Sequence, residues 1–240
     1  MKKIVDNVPI LCALHAAGIR FRYTPLMQKV RIGILGSGDV GKALATGFAR
    51  LGHDVKIGSR EPAKLDEWLT TAGPHASGGT FEAAARFGDI LILATLGVGT
   101  ANAIRLAGAT SFSGKVVIDT TNPLDFNEGG PPTLTVGHTD SLGEQIQQLL
   151  PDSKVVKAFN TVGNALMVDP KLDGGPPDMF ICGNDDDAKA IVAQICTHFG
   201  WGVIDLGGIE HSRYLEPMCM VWVHHGLRTG TWNHAFKMLH

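Results

Sequence analysis

Six consecutive residues, Gly36-Ser37-Gly38-Asp39-Val40-Gly41, constrain this chain more than any other segment. A GxGxxG spacing alone is a weak signal, but here its setting is specific. It follows the apolar run Ile32, Ile34, Leu35 and opens a stretch with apolar residues at Val40, Leu44, Phe48 and Leu51. A strand that turns over glycines into a helix is the context in which this pattern holds a dinucleotide. Gly36 is expected to make the tight turn, Gly38 to admit the pyrophosphate close to the backbone, and Gly41 to let helix pack on strand. The helix N-terminus then offers unpaired N–H groups and a positive dipole end to the phosphates.

The remaining pattern predicts what that unit is embedded in. Candidate strands fall at Val30–Leu35, Asp54–Ile57, His75–Gly78, Ile90–Ala94, Lys115–Asp119 and Lys154–Ala158, then near Met179–Cys182 and at Gly202–Asp205. Helices are expected between them at Val40–Leu51, Pro62–Thr71, Thr80–Phe87, Gly99–Ala107, Ser141–Leu150 and Asp185–Phe199. Ile90-Leu91-Ile92-Leu93-Ala94 is apolar at every position, as in strands covered on both faces. Such alternation implies an α/β fold, a Rossmann-type doubly wound and mostly parallel sheet, with a small C-terminal extension. The expected division is an N-terminal extension (1–29), a dinucleotide-binding domain (30–170) and a small C-terminal part (171–240). Within the extension, Asp6, Asn7 and Pro9 interrupt a mildly apolar run, which reads as a poorly ordered segment or a start placed upstream of Met27. A last helical stretch, Glu210–Leu239, carries Pro217 and Gly230 as breakers.

Composition narrows the partners. A net charge of −2 argues against nucleic acid, and no apolar run approaches the ~18 residues that span a bilayer. Cys12, Cys182, Cys196 and Cys219 form no CxxC pair, so neither a metal site nor a disulfide framework is expected, and a cytoplasmic setting fits.

The second strand indicates which dinucleotide binds. An NAD enzyme usually places Asp or Glu about 20 residues beyond the glycines to hold the ribose 2′-hydroxyl. Here the strand ends Ile57-Gly58-Ser59-Arg60, with Lys64 one turn later. Arg60 and Lys64 would neutralise a 2′-phosphate and Ser59 could donate to it, so NADP(H) is expected. Three further strand ends carry small or polar loops: Thr95-Leu96-Gly97-Val98-Gly99, Thr120-Thr121-Asn122-Pro123, and Phe159-Asn160-Thr161-Val162-Gly163, with Ala158 just before the last also expected at the cofactor. Asn122 and Asn160 suit the nicotinamide carboxamide or ribose, and equally suit ordinary turns. No Tyr-x-x-x-Lys pair is present, so the usual acid of short-chain carbonyl reductases is missing. Too little chain follows Asp205 for the helical domain of β-hydroxyacid dehydrogenases. No catalytic side chain stands out, which suits hydride transfer to a stacked ring.

Five segments carry a family resemblance: Gly33 through Gly41, Gly58-Ser59-Arg60, Val155-Val156-Lys157-Ala158-Phe159-Asn160, Ile181 through Asp185, and Ser212-Arg213-Tyr214-Leu215-Glu216. Together, in this order, they resemble the NADPH-dependent coenzyme F(420) oxidoreductase family, and also the reductase domain of the six-transmembrane metalloreductases. The resemblance implies NADPH held by the glycine loop with Ser59, Arg60 and Lys64, a deazaflavin or flavin as the small-molecule acceptor, and a homodimer. The stretch Leu96–Thr100 is richer in glycine than the family pattern. Alternatives are reduction of a small imine or carbonyl, and a non-catalytic NADP(H) sensor. The Trp222–His234 segment is expected to pack on the sheet, or else to wall the acceptor site or a dimer contact.

Overall fold

The structure, a computed structural model, describes residues 29–126 and 130–239. The expected N-terminal extension therefore lies, but for its last residue, outside the described residues.

The all-apolar runs become the middle of one sheet. Strands β1 (Arg31–Leu35), β2 (Asp54–Gly58), β3 (Ala76–Gly79), β4 (Ile90–Leu93), β5 (Val116–Asp119), β8 (Lys154–Lys157), β9 (Asp178–Gly183) and β10 (Gly202–Asp205) lie in the order β10-β9-β8-β5-β4-β1-β2-β3. Pairing is parallel except between β8 and β9, which run antiparallel. Alternate residues face opposite layers, as the period of a strand demands. Ile32, Ile92, Ile118 and Val156 pack with Leu44 and Phe48 of α1 (Asp39–Arg50) and with Val192 and Ile195 of α6 (Asp186–His198). Leu91, Leu93, Val117 and Val155 pack on the other face with α3 (Phe81–Phe87), α4 (Gly97–Ala107) and α5 (Leu142–Leu149). This is the expected doubly wound Rossmann arrangement. The chain winds outward from β1 to β2 and β3, then returns to β4 on the other side. A crevice opens at that reversal, beyond the carboxyl ends of β1 and β4.

Several elements differ from expectation for identifiable reasons. The helix expected at Pro62–Thr71 is a 3₁₀ turn (Pro62–Leu65) followed by the single turn α2 (Asp66–Leu69). The hydroxyls of Thr70 and Thr71 bond back to the Glu67 and Trp68 carbonyls and compete with helix continuation. Helix α4 starts at Gly97, two residues early. A small antiparallel pair, β6 (Leu124–Asp125) with β7 (Thr133–Leu134), has no sequence signature. Helix α7 (Ser212–Thr229) runs through Pro217, against the expectation of a break there, and stops at Gly230, whose φ of 69° is the left-handed stop. The chain then folds back, with the Phe236 carbonyl accepting from the Asp178 N–H at 2.9 Å. Among the described residues no helix is long and apolar enough to cross a membrane.

Beneath the crevice sits a buried ion cluster. Lys157 ends β8 opposite Asp119 at the end of β5, and both are 0% exposed. Its Nζ lies 2.7 Å from Asp119 Oδ2, 2.9 Å from Oε1 of Glu216 on α7, and 2.8 Å from the Thr121 carbonyl. Glu216, 1% exposed, also accepts the N–H groups of Leu142 and Gly143, two otherwise unsatisfied donors at the start of α5. Burial disfavours the ammonium charge, but the two carboxylates outweigh it and Lys157 titrates above the ordinary lysine value. With a raised folded-state pKa, its contribution is complete at neutral pH and is lost only as pH climbs beyond the ordinary lysine range.

Lys157→Ala would strand two buried carboxylates, so urea unfolding at neutral pH should show a loss of about 3–5 kcal/mol. A loss below about 1 kcal/mol would mean that water reaches the cluster.

Candidate functional site

The crevice is a cleft of about 700 Å³. Its floor begins at the glycine loop. Gly36 adopts φ 133°, and a Cβ there would lie 2.1 Å from the Ala94 carbonyl oxygen, so the turn excludes any side chain. A Cβ on Gly41 would lie 2.0 Å from the Gly36 carbonyl oxygen, which seats α1 directly on the turn. At Gly38 an added Cβ meets nothing within 4 Å, because this residue faces the open cleft. Gly38 is also the N-cap of α1 and brings no side chain to cap it, which leaves the first-turn N–H groups facing outward.

The second strand supplies one end of the cleft. Ser59, 5% exposed, accepts hydrogen bonds from Ser37 Oγ at 3.0 Å and from the Glu61 N–H at 3.1 Å. That pair of bonds fixes the loop on which Arg60, Glu61 and Lys64 reach the cleft. Lys64 Nζ forms an exposed ion pair with Glu61 Oε1 at 2.9 Å.

The other end is built from the termini of β4 and β5. Thr95 Oγ1 and Thr100 Oγ1 are 2.8 Å apart and tie the start of α4 to the end of β4. Gly97 packs so closely that a Cβ would sit 2.1 Å from the Asn122 carbonyl oxygen. Thr121 donates both its N–H and its hydroxyl to Asp119 Oδ1, at 2.9 and 2.6 Å, while its carbonyl receives Lys157. Asn122 and Asn160 exchange amide hydrogen bonds: Asn122 Nδ2 donates to the Asn160 carbonyl at 2.8 Å, and Asn160 Nδ2 to Asn122 Oδ1 at 2.9 Å. The loop from Thr120 to Asn122 is thus held before any ligand arrives.

Of the residues expected from sequence, Gly36, Ser37, Gly38, Asp39, Val40, Ser59, Arg60, Lys64, Thr95, Leu96, Gly97 and Asn122 line this one cleft. Gly41 lies beneath it. Pro123 is buried and its carbonyl receives the Thr135 N–H. Ala158 is 0% exposed in the core, and Asn160 stands behind Asn122, also bonded to the Leu215 carbonyl. Val98 and Gly99, at the end of the expected Thr95–Gly99 loop, also line the cleft, whereas sequence reasoning missed Glu61, Asn102, Phe126 and Asn164, as well as the ion cluster below it. Glu61 was legible beside Arg60, whereas Phe126 reaches the site only through the unexpected β6.

The lining is asymmetric. Its titratable groups, Asp39, Arg60, Glu61 and Lys64, all belong to the glycine loop and the segment after β2. The β4 and β5 end presents hydroxyls, amides and the exposed apolar side chains of Leu96, Val98 and Phe126. Of the thiols, Cys182 and Cys219 lie buried away from this lining, where burial pushes each up to about 11 and keeps it un-ionised at neutral pH.

Residues 31–123 match the family described as NADP oxidoreductase, coenzyme F(420)-dependent. The F(420)-dependent NADP reductase of Methanocaldococcus jannaschii is 34% identical over 202 residues, which covers 79% of this chain and 89% of that protein. Metalloreductase STEAP3 of Rattus norvegicus is 30% identical over 192 residues, covering 78% of this chain but only 36% of the relative. A crystal structure assigned as an F(420)-dependent NADP reductase from Arthrobacter sp. FB24 superposes with a TM-score of 0.84 at 42% identity, covering 88% of this chain and all of that one.

The glycines make separable predictions. Gly38→Ala should change unfolding free energy by less than about 0.5 kcal/mol, whereas Gly41→Ala should cost about 1–3 kcal/mol through overpacking. Parallel denaturant titrations of the two variants distinguish them, and equal losses would contradict the packing described above.

Proposed function

Because the chain belongs to the family of coenzyme F(420)-dependent NADP oxidoreductases, we propose that its cleft holds NADP(H) across the carboxyl edge of the sheet and passes a hydride between the nicotinamide and a flavin or deazaflavin ring. The observation that carries this reading is the asymmetry of the lining: the charged groups, Arg60 and Lys64 with Asp39 and Glu61, at one end, and an uncharged, partly apolar surface at the other.

In this assignment Gly36 to Gly41 and the open first turn of α1 receive the pyrophosphate. Ser59, Arg60 and Lys64 take the 2′-phosphate, Arg60 being the residue whose planar fork suits it. Thr95, Leu96, Gly97 and Asn122 form the seat of the nicotinamide. Asn160 and Ala158 act from behind, Asn160 by orienting the Asn122 amide. The bound dinucleotide supplies the hydride chemistry itself. The protein contributes position: Leu96, Val98 and Phe126 offer apolar surface against which a planar ring can lie and shed water. Among the described residues no titratable side chain lines that end, which supports transfer without a dedicated acid or base. Exposed Tyr214 and Val221 on α7 support a homodimer contact made by the C-terminal part, residues 171–240.

Two measurements test this. With purified protein, loss of the reduced-nicotinamide absorbance is expected with NADPH plus a deazaflavin or flavin; turnover only with imines or carbonyls would favour that alternative, and tight binding without any turnover a sensor. Arg60→Ala should weaken NADPH binding by roughly tenfold or more and NADH far less, as removal of a charge-assisted phosphate contact requires. Equal losses would sink the 2′-phosphate assignment.

A further inference from the structure

Of the charged groups that the segment after β2 brings to the cleft, Arg60, Glu61 and Lys64, Glu61 is the one that a 2′-phosphate site does not use. It lines the cleft beside Ser59, Arg60 and Lys64, and its carboxylate holds the Lys64 ammonium at 2.9 Å. Its backbone is not free to swing away: the Glu61 N–H donates to Ser59 Oγ, which also accepts from Ser37 Oγ, so a chain of two hydrogen bonds ties it to the glycine loop. The hydrogen bond from Lys64, then the Lys64 and Arg60 charges, hold its carboxyl below the ordinary glutamate value, so it is ionised at neutral pH.

A carboxylate in this place acts in opposite senses on the two dinucleotides. It accepts a hydrogen bond from a ribose 2′-hydroxyl, the role acidic residues fill in NAD sites, and it repels a 2′-phosphate. Lys64 is then contested. With the 2′-hydroxyl form bound, it remains on Glu61; with the 2′-phosphate form bound, it must turn from Glu61 to the phosphate. The exchange is cheap because both partners are 64% exposed, and a solvated pair of this kind contributes little by itself.

We propose that Glu61 is a specificity-determining residue that narrows the preference for NADP(H) and keeps NAD(H) as an accepted second dinucleotide. This rests on the reading of the cleft as an NADP(H) site with its 2′-phosphate at Ser59, Arg60 and Lys64. Arg60 sets the direction of the preference, and Glu61 limits its size by offering the 2′-hydroxyl a partner while occupying Lys64.

Titrating the full-length protein with NADPH and with NADH, by quenching of tryptophan fluorescence or by calorimetry, tests the idea in the parent and in Glu61→Gln. The amide keeps the size and exposure of the side chain and removes its charge, so the fold should be unchanged by thermal unfolding. The parent is expected to bind both, with NADPH preferred. Glu61→Gln should tighten NADPH and weaken NADH, which moves the affinity ratio by about tenfold. An unchanged ratio, or a parallel loss of both affinities, overturns the role of Glu61 while the NADP(H) site stands. If the parent binds neither dinucleotide, the reading of the cleft itself fails.

Discussion

The Lys157 ammonium, enclosed by Asp119, Glu216 and the Thr121 carbonyl, is the interaction on which the site's geometry depends. It joins the ends of two neighbouring parallel strands, β5 and β8, to a helix from the far end of the chain, and through Glu216 to the first turn of α5. The carboxyl edge of a parallel sheet is otherwise a row of loose loop starts. A buried charge cluster cannot be only half formed, because leaving one carboxylate unpaired in the interior costs several kcal/mol. The three elements therefore take one relative position, and the Thr120–Asn122 loop takes one with them.

That rigidity gives a cleft with few titratable groups a fixed shape. The loop is gripped from below by Lys157 and Asp119, from behind by Asn160, and from the side by the close approach of Gly97 to the Asn122 carbonyl. These contacts engage both ends of the Asn122 amide and the Thr121 hydroxyl, so the loop meets a ligand as a fixed surface. A ring placed there meets a surface already in position, and the ordering entropy is met by folding rather than by binding. The opposite end is different in kind: Lys64 and Glu61 hold one another in solvent and can exchange partners at little cost.

How much of this was legible in the sequence depends on how local the cause is. The glycine turn, β1, α1 and the cations after β2 are set by neighbours in the chain, and they stand where the pattern put them. Helix α2 misled because the back-bonding of Thr70 and Thr71 acts against a periodicity that looked sufficient. The reversal between β8 and β9 was invisible, since the period of a strand carries no information about the direction of its partner. Phe159, at φ 61°, turns the chain out of β8 in a conformation that no sequence rule assigns to an aromatic residue. Lys157 was the hardest case. Within Val155-Val156-Lys157 it reads as an exposed strand residue, and only Asp119 and Glu216, both distant in sequence, make it an interior one.

The same distinction bears on the chemistry. An acid–base enzyme needs its titrating group at the reacting atoms, with a pKa brought near the working pH. Here the strongly perturbed lysine is sealed at 0% exposure and shifted away from neutrality, and the ionisable groups in contact with the cleft stand at the end assigned to the adenosine moiety. The charges thus divide into two sets. The buried set fixes where the loops are, and the exposed set is the one proposed to sort one dinucleotide from another. What remains at the end proposed for the nicotinamide is shape, hydroxyl and amide dipoles, and apolar surface. Those are the resources needed to hold two rings at transfer distance, and they place few demands on the identity of the second ring.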